Sequence, residues 1–180
     1  MVLVFILMGT SASGKSHIGN LIAQELDVPF IEGDDLHSSS GIQKMKSGIP
    51  LNDEDRKPWL NAVKNEIINV SKSSSKPYIF VACSALKYNY REFLRKVPNN
   101  DNIKVWFIYL KGSKQLFQQR ILERQNHFMK AKMLDSQFDS LEEPNQDSEE
   151  RIIVVDVSKE ADKVKEEIIE KINTISYDVI

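Results

Sequence analysis

Gly9, Gly14, Lys15 and Ser16 stand in the stretch GTSASGKS at the spacing G-x-x-x-x-G-K-[ST]. That spacing builds a phosphate cradle. Glycines let successive backbone N–H groups turn inward, the lysine brings a cation to the β and γ phosphates, and the Ser16 hydroxyl is a ligand for Mg²⁺. Thr10, Ser11, Ala12 and Ser13 fill the loop with small side chains, so the backbone faces the ligand. An apolar run, VLVFILM (2–8), precedes the loop, and Ile18, Leu21, Ile22 and Leu26 follow it at spacings of three and four. Strand, loop and amphipathic helix is the order the cradle requires, because the helix N-terminus adds its positive dipole end. A bound nucleotide is the direct expectation.

A second chemical stretch is EGDDLHSSSGIQKMKSGIPLNDEDRKPWL (32–60). A phosphoryl acceptor needs a base for its hydroxyl proton and donors for its other polar groups. Asp34 can take the proton, and His37, Lys44, Arg56 and Lys57 can hold an anionic or hydroxyl-rich molecule. In an open parallel sheet the carboxyl ends of neighbouring strands face one crevice, which predicts Glu32 and Asp34 near the γ phosphate. Alternation along an extended segment predicts that the two side chains point the same way. Residues 52–57 also read as a capped helix start, with Asn52 or Asp53 as N-cap and acids favoured by the dipole. Both readings hold together, since a capped helix is a rigid support for Arg56. Neither D-x-x-G nor N-K-x-D occurs, which excludes a guanine-nucleotide switch, and YIFVACS (78–84) ends in serine rather than aspartate. Glu32 is therefore the candidate acid for the metal, acting through its water.

The elements that must carry these groups are legible from hydrophobic pattern. Short runs rich in β-branched and aromatic residues recur at 2–8, 28–33, 78–84, 105–110 and 151–157. Runs of this kind read as strands covered on both faces. Helical stripes lie between them: Trp59, Leu60, Val63, Ile67 and Ile68, then Ala161, Val164, Ile168, Ile172 and Ile175. Alternating strands and helices predict an α/β fold with a parallel sheet between helical layers. The 180 residues fit a single domain, and a net charge of -2 provides no global basic field for nucleic acid or membrane. The single Cys83 excludes an internal disulfide and points to the cytoplasm. The N-terminal apolar run is too short to span a membrane and has no basic residues before it.

Five stretches in order, GTSASGKS, EGDDLH, GIPLNDEDRKPWL, CSALKYNYR and HFMKAKMLDSQFDSLEEP, resemble the gluconate kinase family of P-loop kinases, which are related to shikimate and adenylate kinases. The resemblance covers residues 8 to about 157. It implies a three-layer P-loop kinase fold with a five-stranded parallel sheet, an acceptor-binding insert near 35–72 and a mobile lid near 124–146. It further implies ATP and Mg²⁺ as cofactors and phosphorylation of D-gluconate at the 6-hydroxyl; residues alone stop at a small-molecule kinase. On matching positions, Asp34 resembles the acceptor-activating aspartate, and His37, Arg56, Lys87, Arg91 and His127 fall in the sugar-acid pocket. Lys87 and Arg91, four apart, are expected on one helix face. Arg120 is assigned to the nucleotide and Arg124 to the transferring phosphoryl group. Ser38, Gly41 and Asn126 depart from the family's pattern. A small-molecule substrate is the expected partner, with a homodimer as an open expectation that composition does not decide.

Overall fold

The computed structural model of the chain describes residues 1–97, 102–123 and 128–179, with 128–132 and 176–179 described by backbone alone. Five parallel strands, β1 (Val2–Met8), β2 (Phe30–Glu32), β3 (Tyr78–Ala82), β4 (Ile103–Lys111) and β5 (Ile152–Asp156), form one sheet in the order β2-β3-β1-β4-β5. The helices among the described residues are α1 (Lys15–Leu26), α2 (Ser39–Lys46), α3 (Asp53–Ser73), α4 (Tyr88–Arg95), α5 (Lys114–Leu122), α6 (Phe128–Ser140) and α7 (Ala161–Val179). None of them is long and apolar enough to cross a membrane. The α/β class and parallel sheet expected from the sequence are present.

Side-chain alternation along β1 explains its uninterrupted apolar run. Val4, Ile6 and Met8 enter a core with Trp59, Leu60, Val63 and Ile67 of α3 and Leu94 of α4. Leu3, Phe5 and Leu7 face the opposite side, against Ile18 and Ile22 of α1, Phe117 of α5 and Val164, Ile168 and Ile172 of α7. A strand with helices on both faces has no polar side, and each such side chain contributes about 1.5–3 kcal/mol on burial. Since β1 lies between β3 and β4, its carboxyl end opens at the middle of the sheet. The loop there inherits the sheet's rigidity.

β2 ends earlier than its apolar pattern predicts. At Gly33 the chain leaves the extended form for a 3₁₀ turn over Gly33–Leu36. The alternation argument for Glu32 and Asp34 therefore fails: Glu32 closes the strand, while Asp34 belongs to the turn. A different contact joins them, the Asp34 N–H donating to Glu32 Oε1 at 3.3 Å. Ser38 serves as N-cap of α2, its Oγ accepting the Gly41 N–H, so the departure at 38 has a local structural use.

A buried ion cluster ties the segment before β5 to α4. Arg91, 1% exposed, donates from Nε and Nη2 to Glu149 at 2.6 and 2.8 Å, and Arg95 Nη2 reaches the same carboxylate at 2.7 Å. Burial opposes ionisation of Glu149, but the hydrogen bonds from both arginines hold its carboxyl below the ordinary value of 4.5. Removing that carboxylate strands a buried guanidinium, so Glu149→Ala is expected to lower unfolding free energy by about 3–5 kcal/mol in urea titration. Because the folded-state pKa is depressed, the wild type carries this stabilisation in full above pH 4.5 and loses it as pH falls further. Acid titration should separate the two proteins near neutrality and bring them together at low pH.

Candidate active site

The loop after β1 is built as an anion cradle. Gly14, the N-cap of α1, has φ 98, and no side chain caps the helix. First-turn amides are thus left for a ligand, and no acidic residue in that turn competes. Ala12 also takes a left-handed backbone, φ 64. Thr10 and Ser13 are buried, with Ser13 Oγ donating to the Thr10 carbonyl at 2.8 Å, so they shape the loop from inside. Ser16 is exposed at the mouth. Lys15 curls over its own loop, with Nζ 3.1 Å from the Gly9 carbonyl and 2.9 Å from that of Thr10. Burial pushes its ammonium below the usual lysine range, opposed by the negative charge of Asp34 and Glu32.

Across from Lys15 stands the acidic turn. A Cβ at Gly33 would overlap the Ala82 carbonyl oxygen of β3, so only glycine lets the backbone approach this closely. On its other side the Gly33 carbonyl accepts the Trp59 indole N–H at 2.7 Å. His37 stacks on the Trp59 ring, centroids 4.4 Å apart and planes 7° apart. Burial there lowers the His37 pKa, Asp34 opposing and Arg56 reinforcing the shift, so the imidazole is neutral at pH 7. Among the described residues no three of His, Cys, Asp or Glu converge as a metal site. A Mg²⁺ arriving with phosphate oxygens and much of its own water would find the Ser16 hydroxyl and, through water, Glu32 as holding groups.

Between the starts of α3 and α4 lies a cleft of about 260 Å³, lined by Asp53 and Arg56 of α3, Leu86, Lys87 and Tyr90 around the start of α4, and Ser140 at the end of α6. It lies just under the about 300–1,000 Å³ of clefts that enclose drug-sized ligands, a size that suits a small metabolite. The Asn52–Asp55 capping box fixes the start of α3. Arg56 donates from Nε to the Leu51 carbonyl at 3.3 Å and forms no ion pair among the described residues. Lys87 Nζ lies 2.6 Å from Asp53, whose carboxyl is held below the usual range by Lys87 and the Tyr90 hydroxyl.

The structure gathers Lys15, Glu32, Asp34, His37, Arg56 and Lys87 on this side of the sheet. Arg91 is placed otherwise than expected. Lys87 is the extended N-cap of α4, φ -97 and ψ 147, so the two do not share a helix face. Instead Arg91 lies beneath the cleft, bound to Glu149 and to the Ala85 and Leu86 carbonyls. Arg120 holds the cradle from behind, donating to the carbonyls of Ala12 at 3.4 Å and Val157 at 2.6 Å. Arg124 and His127 lie outside the described residues. Gln137, whose Oε1 accepts the Ser11 N–H at 2.6 Å, and Trp59, whose spacing marks it as core alone, carry no functional signal in the sequence. Neither contact is local: each needs a partner far along the chain.

A methyl group at Gly33 would force β2 away from β3 and carry Glu32 and Asp34 with it. Gly33→Ala is expected to keep nucleotide binding, since the cradle belongs to β1, but to lower turnover about 10²-fold, the scale of a 1 Å misplacement. Calorimetric nucleotide titration beside steady-state kinetics measures both.

The family model described as shikimate kinase matches residues 11–173. A probable gluconokinase of Dictyostelium discoideum is 43% identical over 171 residues, covering 92% of this chain and 84% of the relative. The thermoresistant gluconokinase of Escherichia coli K12 is 41% identical over 169 residues, covering 94% and 93%. Among solved structures, a gluconokinase from Sinorhizobium meliloti 1021 superposes with a TM-score of 0.84 at 36% identity, over 98% of this chain and 94% of that one. With a three-layer cradle fold and relatives this similar over nearly its whole length, the chain belongs to the shikimate kinase family of P-loop kinases, on the gluconokinase branch.

Proposed function

We propose that the chain transfers the γ-phosphoryl group of ATP to the 6-hydroxyl of D-gluconate, giving 6-phospho-D-gluconate and ADP. The observation that carries this reading is that Trp59 ties the turn bearing Asp34 to α3, the helix that brings Arg56 to a small cleft shared with Lys87. The relatives' names add the acceptor. Residues 35–72, with α2 and α3, form the acceptor-binding part in this reading, and 124–146 form the lid. A cytoplasmic setting suits the single free, buried Cys83 thiol.

Asp34 accepts the proton of the 6-hydroxyl as that oxygen attacks the γ phosphorus and the bond to the bridging oxygen of ADP breaks. Lys15 exchanges its two loop carbonyls for phosphate oxygens, and the α1 amides hold the β phosphate. Ser16 and, through water, Glu32 would hold Mg²⁺, which would supply neutralisation of charge on the phosphates. Arg56 and Lys87 read the acceptor's carboxylate, neutral His37 and the Tyr90 hydroxyl its hydroxyl chain. Arg120 keeps the cradle in shape for the nucleotide, and Arg124 is assigned to the transferring group.

Coupled ADP release with Mg-ATP is expected to depend on D-gluconate and to be much weaker with shikimate, AMP or glucose. Equal rates with glucose would mean the carboxylate is not read. Asp34→Asn keeps the shape but cannot take the proton, so kcat should fall about 10²-fold or more with ATP binding little changed. Glu32→Gln should instead raise the Mg²⁺ concentration needed for half-maximal rate, and Lys15→Ala should nearly abolish turnover while leaving the fold intact. If Glu32→Gln loses the chemistry and Asp34→Asn merely needs more Mg²⁺, the two roles are exchanged.

A further inference from the structure

Trp59 does more than fill the core. The indole is 2% exposed and belongs to the stripe with Leu60, Val63 and Ile67 that packs α3 on the sheet. An aliphatic side chain would serve that purpose. What the indole adds is a donor and a flat face, and both are spent on the segment carrying Asp34: Nε1–H on the Gly33 carbonyl at 2.7 Å, and the ring on the His37 imidazole at 4.4 Å. Gly33 is meanwhile stopped on the far side by the Ala82 carbonyl. The turn is gripped at both ends, residue 33 and residue 37, by one side chain of the helix that also bears Asp53 and Arg56.

We propose that Trp59 is the positioning residue that locks the Asp34 turn to the acceptor helix α3, so that the proton-accepting carboxylate and the groups reading the acceptor keep one mutual geometry. A buried carbonyl without a donor is costly, so losing the N–H releases the turn rather than leaving it in place. The inference rests on the assignment of Asp34 as proton acceptor, and its test separates the two.

Trp59→Phe keeps an aromatic face and most of the core volume but removes the donor. Its expected result is a kcat about 10-fold lower with KM for ATP unchanged, since sub-ångström displacement costs rate rather than nucleotide affinity. Ile67→Val, fully buried further along α3, supplies a comparison whose small loss of melting temperature leaves kcat at the wild-type value. A folded Trp59→Phe with wild-type kcat, or one that raises only KM, overturns the proposal. A second measurement does not depend on that variant folding. In Trp106→Phe, Trp59 is the one remaining indole; adding His37→Ala, which removes its stacking partner, should shift its emission, and an unchanged spectrum overturns the proposal. Asp34→Asn in the same kinetic series is read independently. If it keeps full kcat, the proton-acceptor assignment fails while a slowed Trp59→Phe still assigns the indole to the turn; if it is slow and Trp59→Phe is not, the positioning role alone is lost.

Discussion

How near a carboxylate can stand to the phosphate cradle is limited by the strand that lies between them. β2 and β1 are not neighbours; β3 separates them. Groups on the turn after β2 must reach over the end of β3 to face the loop after β1, so the end of β3 has to stay low. Its residues do so: Ala82, Cys83, Ser84 and Ala85 are all small. The Ser84 carbonyl accepts the Gly9 N–H at 3.2 Å, and the Cys83 N–H donates to Leu7 at 3.1 Å, which seats the cradle directly on this low rim. Gly33 completes the approach from the other side by lacking a Cβ that Ala82 would repel. A large side chain anywhere in this row would push acid and cradle apart.

Charge follows from that proximity. Lys15 is half-buried and, among the described residues, donates to two neutral carbonyls, while the negative charge of Asp34 and Glu32 acts on it. Two carboxylates facing one ammonium leave a surplus of negative charge before any phosphate enters. Phosphates bring more of the same sign, so charge-neutralising groups have to accompany or meet them there. Cys83 does not take part in this balance, because burial pushes its thiol pKa up to about 12 and it stays neutral.

Legibility in the sequence tracked how local the physics is. The cradle, β1, α1 and a cap at Asn52 or Asp53 are readable because spacing and propensity act within a few residues, and the structure has them, with Asn52 as the cap. The face shared by Glu32 and Asp34 was misread for a local reason too, since Gly33 turns the chain into a 3₁₀ turn where alternation no longer applies. Arg91 was out of reach for another reason. Its partner Glu149 lies 58 residues away, and helical spacing to Lys87 says nothing about a carboxylate arriving from the segment before β5. Trp59 fitted its stripe so well that the pattern hid its donor, whose acceptor is 26 residues upstream.

The segment from α6 onward touches both halves of the site at once. Gln137 meets the cradle at Ser11, Ser140 lines the acceptor cleft, and Glu142 accepts the Tyr88 N–H at 2.6 Å while its own N–H donates to the Leu86 carbonyl. It is also rooted in the core. Leu134 is fully buried and Phe138 packs against Phe117 at 6.1 Å. Opening all of 124–146 as one lid would withdraw Leu134 from the core at a cost of about 1.5–3 kcal/mol, and would also break the Glu142 bonds. Dividing the segment at Leu134 avoids both costs. The energetically cheaper arrangement keeps the described residues 134–142 against the body, bridging cradle and cleft while the site is formed.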